Sequence, residues 1–296
     1  MNNRITIFTP TYNRANTLET AYKSLLNQSN KDFIWLIIDD GSTDQTQNLV
    51  KHWIKENKIN IEYHYKKNGG KHTAYNYMLD KVKTDFVLIS LDSDDYLLSN
   101  AIEKMYKHIN EMNGNMVGIS FLSTSEKNLK NNFNQRVTKY NLNILKGKSL
   151  KWGLINNEFD ASCLFLFNIN YLINFRYPEI NNEKFFTEAY TYYQMDEVLL
   201  WTDEIVCVRI FRNDGYTNNT IKLFKKNPTS WYMYNTLRAN TTKVYKLKIK
   251  YITYSIMFAR MLRLKIKNIN INNKILLILL YPVGIFGKKI LENKKC

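Results

Sequence analysis

The spacing of apolar residues changes period repeatedly over the first 95 positions. Ile5 to Phe8 form a short apolar run. Leu18, Ala21, Tyr22, Leu25 and Leu26 then recur at helical spacing and predict a helix over 16–28. FIWLIIDD, residues 33–40, is continuously apolar up to its two aspartates, the pattern of a strand covered on both faces. Ser42 and Gln45 have the spacing of a capping box, which predicts a second helix carrying Leu49, Val50, Trp53 and Ile54. A strand, IEYHYKK, a helix with Ala74, Tyr75, Met78, Leu79 and Val82, and a strand, FVLISLD, complete the series. The resulting β-α-β-α-β-α-β order implies an α/β fold, a mostly parallel sheet with helices on both faces.

Beyond Ser99 the pattern is coarser. It predicts a helix near 101–112, strands at MVGISFL, CLFLFN and EIVCVRIF, a helix after Glu188, and irregular structure over the Asn- and Lys-rich stretch 124–148. In the C-terminal part, Ile252, Ile256, Ala259, Arg260 and Arg263 lie at helix-compatible spacing. ILLILLYPVGIF, residues 275–286, is an apolar run of 12 interrupted by Pro282. That is shorter than the ~20 residues a spanning helix needs.

Charge divides the chain. The whole sequence of 296 residues has a net charge of +16. Residues 222–296 hold 17 Lys and Arg against Glu292 alone, whereas 1–221 hold 25 bases and 25 acids. The boundary near 221 therefore predicts two regions, a neutral body and a basic, helical appendage. A surplus confined to the appendage speaks against nucleic-acid binding by the body, and no nucleic-acid partner is expected. The interleaved bases and apolar residues fit a helix lying on an anionic membrane face; packing against the body or on another subunit is the competing reading. The three cysteines, Cys163, Cys207 and Cys296, have no zinc spacing and read as reduced thiols. With no apolar signal run near Met1, the expected location is cytoplasmic, peripheral on the inner membrane face.

In a parallel sheet, ligands sit at the carboxyl ends of the strands, and those ends carry the polar chemistry here. In TPTYNR, residues 9–14, Pro10 ends the strand and Tyr12 offers a flat ring. In DDGSTD, residues 39–44, Gly41 and Ser42 make a turn and cap, but Asp39 and Asp40 need another reason, such as hydrogen bonds from a base or ribose. In KKNGGKHTAYN, residues 66–76, Gly69 and Gly70 precede a helix start in the manner of a phosphate cradle, and Lys71 and His72 add positive charge. LDSDD, residues 91–95, sets Asp92, Asp94 and Asp95 around Ser93. Adjacent carboxylates raise one another's pKa unless a cation intervenes, and one or two of them complete a Mg²⁺ or Mn²⁺ site when phosphates supply the rest. An acidic turn that caps a helix is the plain alternative.

Taken together, TPTYNR, DDGSTD, NGGKHTAYN and LDSDD resemble the family 2 glycosyltransferases, nucleotide-sugar-dependent enzymes of the GT-A fold. That resemblance implies a donor, usually a UDP-sugar, whose base is held by Tyr12 and Asp40 near Pro10 and Asp39. It places the Gly70–Lys71–His72 loop beside ribose and phosphates, Asp92 and Ser93 near the ribose, and Asp94 on Mg²⁺ or Mn²⁺. It also implies inversion at the anomeric carbon, with a glycan or lipid-linked glycan as acceptor. The family's base belongs to a Glu-Asp pair some 90–100 residues after the metal motif. NEKFFTEAY, residues 182–190, departs from it, since Ala189 follows Glu188. Glu188 is assigned as the base, with Glu183 and Asp196 as rivals. Arg212, in RNDGYTNNT, is placed to pair with phosphate. A non-catalytic nucleotide-binding scaffold is the alternative function.

Overall fold

The structure, a computed structural model, describes residues 5–126, 142–158, 163–210 and 220–294. Arg212, most of its loop and Cys296 lie outside them.

Four parallel strands form one half of the sheet: β1 (Ile5–Thr11), β2 (Ile34–Asp39), β3 (Ile61–Tyr65) and β4 (Phe86–Ile89). Helices of nine residues or more are labelled. Three of them connect these strands: α1 (Leu18–Leu26), α2 (Thr46–Glu56) and α3 (Lys71–Leu79). A short β5 (Tyr96–Leu97) and α4 (Ala101–Glu111) lead to β6 (Gly118–Ser125), β7 (Cys163–Asn168) and β8 (Leu199–Arg209). The eight strands lie in the order β3-β2-β1-β4-β7-β6-β8-β5. β7 is antiparallel to β4 and β6, and β6 and β8 are parallel.

The period-2 alternation of β1 and β2 explains both layers. Ile5, Ile7, Trp35 and Ile37 point to the face covered by α1, α2 and α4, where Leu18, Leu25, Val50, Trp53 and Met105 are buried. Phe8, Leu36 and Ile38 point to the face of α3, against Ala74, Met78 and Leu79.

Three expectations change. Ser42 does not cap α2, which begins at Thr46; its hydroxyl accepts the Asn13 N–H at 2.8 Å, and Asp44 accepts the Thr46 N–H at 3.0 Å. Pro10 lies inside β1 rather than at its exit, in register with Ile38. The apolar run 275–286 does not stop at Pro282, because helix Lys274–Asn293 continues through it.

The C-terminal helices α5 (Pro228–Thr241), α6 (Tyr245–Met261) and α7 (Lys274–Asn293) pack on one another. Ile252, Ile256 and Ala259 of α6 are buried in this small core. Among the described residues, no helix is long and apolar enough to cross a membrane.

Candidate active site

The carboxyl ends of β1, β2 and β4 meet the end of β8 at one edge of the sheet. Leu91 N–H bonds to Phe8 C=O at 2.9 Å, so LDSDD turns over the end of β1. On the other side Ile210 N–H donates to Asp95 at 2.9 Å, which fixes this turn to the end of β8.

Lys71 is at the centre. It opens α3, and its ammonium donates to Asp92 at 2.6 Å and pairs with Glu188 at 2.5 Å. Burial would lower the Lys71 pKa, but the two flanking carboxylates outweigh it and raise it, so the lysine is charged at any ordinary pH. Asp92 also accepts the Ser90 hydroxyl at 2.9 Å. Glu188 precedes a single helical turn, Ala189–Tyr192, yet its side chain makes no cap there and turns to Lys71 instead. The Tyr177 hydroxyl bonds to the Glu188 C=O at 3.1 Å, and Tyr177 is itself held by Asn76 of α3 through two 2.9 Å bonds. One helix thus carries the lysine and the clamp that sets the glutamate.

Glu188, Glu183 and Asp196 fare differently. Glu183 is buried and accepts from Thr229 N–H (2.7 Å), Ser230 N–H (2.8 Å) and the Ser230 hydroxyl (2.7 Å) at the start of α5. Asp196 accepts from Ser149 at 3.0 Å and Lys151 at 2.7 Å. Both rivals are therefore occupied in ties between segments, and Glu188 is the one of the three that joins Lys71 and Asp92.

The glycine loop differs from a phosphate cradle. The N–H groups of Gly69 and Gly70 donate to Asp40 at 2.9 and 2.6 Å, and Lys66 pairs with the same carboxylate at 2.7 Å. Asp40 is buried, and both its oxygens shape this loop. Asp39 is likewise buried, accepting Ser42 N–H at 2.7 Å and the Tyr63 hydroxyl at 2.6 Å. Gly70 has φ +98°, and a Cβ there would lie 2.0 Å from the Lys184 carbonyl oxygen. Only glycine allows that approach, which brings the segment leading to Glu188 against the start of α3. His72 supplies no positive charge: it is buried beside Tyr177 and Phe186, and burial pushes its pKa down.

Tyr12, by contrast, is 48% exposed at the end of β1, so core packing does not account for it. Ser93 is buried in the acidic turn and Asp94 is half-buried beside it. Burial, and then the neighbouring Asp92 and Asp94 carboxylates, push Asp95 up to about 7. Adjacent carboxylates in one turn are the donor type that a hard cation takes. Among the described residues no three His, Cys, Asp or Glu side chains converge as a metal cage. A cation here would be held by one or two carboxylates, Asp94 first, and would take its remaining oxygens from phosphate and water.

Arg209, absent from the sequence-level candidates, is half-buried at the end of β8 and donates to Cys163 C=O at 3.0 Å. Asp92 and Glu188 are among the groups that raise its pKa against its burial. A base inside the apolar run IVCVRI was its signal, because a charge in a buried strand needs partners. Lys66 was legible only as part of a surface-like KK pair. Cys163 and Cys207 are free and buried.

A model of the family described as Glycosyl transferase family 2 matches residues 6–174. The GalNAc(5)-diNAcBac-PP-undecaprenol beta-1,3-glucosyltransferase of Campylobacter jejuni is 29% identical over 226 residues, covering 72% of this chain and 67% of that protein. An uncharacterized glycosyltransferase of Rickettsia bellii is 34% identical over 110 residues, 37% of this chain, and the match spans just 16% of that relative's length. Among solved structures, S. aureus TarS 1-349 in complex with UDP-GlcNAc superposes with a TM-score of 0.57 at 16% identity, covering 98% of this chain and 90% of that one. The mannosyltransferase PcManGT of Pyrobaculum calidifontis, in complex with GDP-Man and Mn2+, gives a TM-score of 0.52 at 15% identity, covering 99% of this chain and 76% of that one. At these identities the two structures establish a shared fold, that of GT-A glycosyltransferases.

Proposed function

We propose a function from one premise: the chain belongs to glycosyl transferase family 2. Our reading is an inverting transferase that moves a sugar from a UDP-sugar to a glycan or lipid-linked glycan acceptor. The observation that carries it is the convergence of Asp92 and Glu188, 96 positions apart, on Lys71 at 2.6 and 2.5 Å. The Campylobacter relative is named for a lipid-linked substrate, which favours that acceptor class.

In this reading Tyr12 stacks on the base, and the Asp40-shaped loop and Asp92 border the ribose and diphosphate. Asp94, with Asp95 beside it, would hold Mg²⁺ or Mn²⁺, which when bound offsets the charge of the departing diphosphate. Glu188 takes the proton of the acceptor hydroxyl as that oxygen bonds to the anomeric carbon. The bond from that carbon to phosphate breaks on the opposite face, its electron pair leaves with UDP, and the configuration inverts. Lys71, paired with Glu188, keeps it aimed while the acceptor site is empty. The basic C-terminal region is assigned to the membrane face where a lipid-linked acceptor lies.

The test is turnover of a UDP-sugar panel by the full chain with Mn²⁺, with and without reversible chelation, and with Asp94→Ala. Expected is UDP release that both chelation and the substitution abolish while the fold is kept. Turnover that survives chelation would remove the metal from the reading; UDP binding with no turnover of any sugar would leave the scaffold reading in its place.

A further inference from the structure

Helix α7 buries one face and leaves a second apolar face bare. Leu277, Gly284 and Leu291 are buried, and Gly284 sits against Ile256 of α6 so closely that a Cβ would meet its side chain at 2.4 Å. Turned away from α6 are Ile275, Ile278, Leu279, Val283, Phe286 and Ile290, each between 45 and 73% exposed. At about 100° per residue these six fall within an arc of roughly 140°. Pro282 lies within it, and no polar residue interrupts it between Ile275 and Phe286. Six large exposed apolar side chains on one helix are not ordinary surface scatter.

We propose that this face of α7 is a monotopic anchor: the helix lies in the plane of an anionic lipid surface with the arc in the acyl boundary. The proposal rests on the membrane-face assignment above, and narrows it to one face of one helix. Charge selects the occupant. Lys274 opens α7 and follows Arg263, Lys265 and Lys267, while Lys288, Lys289 and Lys294 close it. At that end Lys225 also bonds to the backbone of Glu292 and Lys294. Both ends of the stripe are basic. A second copy docked in either direction would set bases against bases, whereas anionic headgroups meet them with opposite charge. The helix fails the requirements for a span, and an in-plane helix with an apolar face and flanking lysines needs none. α6 does not share the role, since its apolar residues Ile252, Ile256 and Ala259 are consumed in the core beneath.

The anchor reaches the site through α5. Asn227, just before that helix, accepts the N–H groups of Lys184 and Phe185 at 2.9 and 3.0 Å, and Glu183 accepts from its first turn. The segment that carries Glu188 is therefore fastened to the membrane-facing bundle.

The test is flotation of the full chain with vesicles of mixed phosphatidylglycerol and phosphatidylcholine, and with phosphatidylcholine alone, for wild type and for Leu279→Asp/Phe286→Asp. Sedimentation equilibrium is measured without lipid. Expected is wild-type flotation on anionic vesicles, at least about a 100-fold loss of partitioning in the variant, and monomers in both. Wild type that stays down, a variant that floats equally, or a wild-type dimer that the variant lacks would each overturn the anchor. UDP-sugar turnover with a water-soluble acceptor is read on the same preparations. The variant should match wild type there, and flotation without turnover in both would count against the transferase reading alone.

Discussion

At the sheet edge the chain answers its own charges: Lys71 joins Asp92 and Glu188, Lys66 joins Asp40, and Glu183 caps the start of α5. In residues 222–296 it does not, because 17 bases face one acid. The apolar side chains divide in the same way. Ile5, Ile7, Phe8, Trp35 and Leu36 are almost wholly buried, while α7 holds out six. Internally balanced charge builds a fixed geometry. Unbalanced charge beside uncovered apolar surface is the pattern that calls for a partner outside the chain.

The strongest way to break the contrast is within one short segment. Glu188→Gln removes the proton acceptor and keeps the side chain's shape, so transfer should fall by roughly 10²–10⁴ while UDP-sugar affinity is kept. Glu183→Gln, five residues earlier, should leave the chemical step nearly intact. It would cost about 1–3 kcal/mol of stability, because an amide cannot accept all three bonds that Glu183 receives from Thr229 and Ser230. Single-turnover rates and thermal melts on both variants decide this. A Glu183→Gln enzyme that melts normally and has lost transfer would exchange the two roles.

Gly70→Ala is the next test, since it asks whether loop geometry is as binding as charge. A residue at φ +98° with its Cβ driven onto Lys184 should lose at least about 1–3 kcal/mol. The loss would extend to donor binding, because the displaced segment leads to Glu188. Gly147, at φ +71° with open space around it, is the control, and alanine there should cost backbone strain alone. Equal melting temperatures for the two variants would show that the contact with Lys184 does not constrain the loop.

The sequence carried the parallel half of the sheet because each of its strands is a short apolar run followed by a helical period, and local patterning settles that. It carried less of the second half. β7 reads as a strand, but nothing in CLFLFN says that it inserts beside β4 in the opposite direction. The motifs located the sheet edge correctly, yet a motif does not show whether a carboxylate faces a ligand or its own backbone. Asp40 is the example: its partners, Gly69, Gly70 and Lys66, lie 26 to 30 positions away. The resemblance points to Glu188 with Glu183 and Asp196 as rivals, and only the fold shows that Glu188 meets Lys71 while the other two tie segments together. In α7 the run ILLILLYPVGIF looked like a fragment because proline usually ends a helix. Here it lies on the exposed arc, where the missing hydrogen bond to Ile278 leaves a carbonyl on the uncovered side.

The smallest expected effect tests the reading of that arc as surface. Leu279 is 65% exposed and Leu277, two positions away on the same helix, is 3% exposed. Leu277→Ala opens a cavity against α6 and should cost about 2–5 kcal/mol. Leu279→Ala removes a side chain that touches little and should change stability by no more than about 0.5 kcal/mol in lipid-free buffer. Denaturant melts at matched protein concentration measure both. If Leu279→Ala proved as costly as Leu277→Ala, the outer face of α7 would already be covered within the chain or by a second copy, and the two regions would no longer differ in what they leave unmet. A near-silent Leu279→Ala means that this side chain contributes almost nothing to folding, so the reason for an apolar residue there has to be sought in what it touches outside the chain.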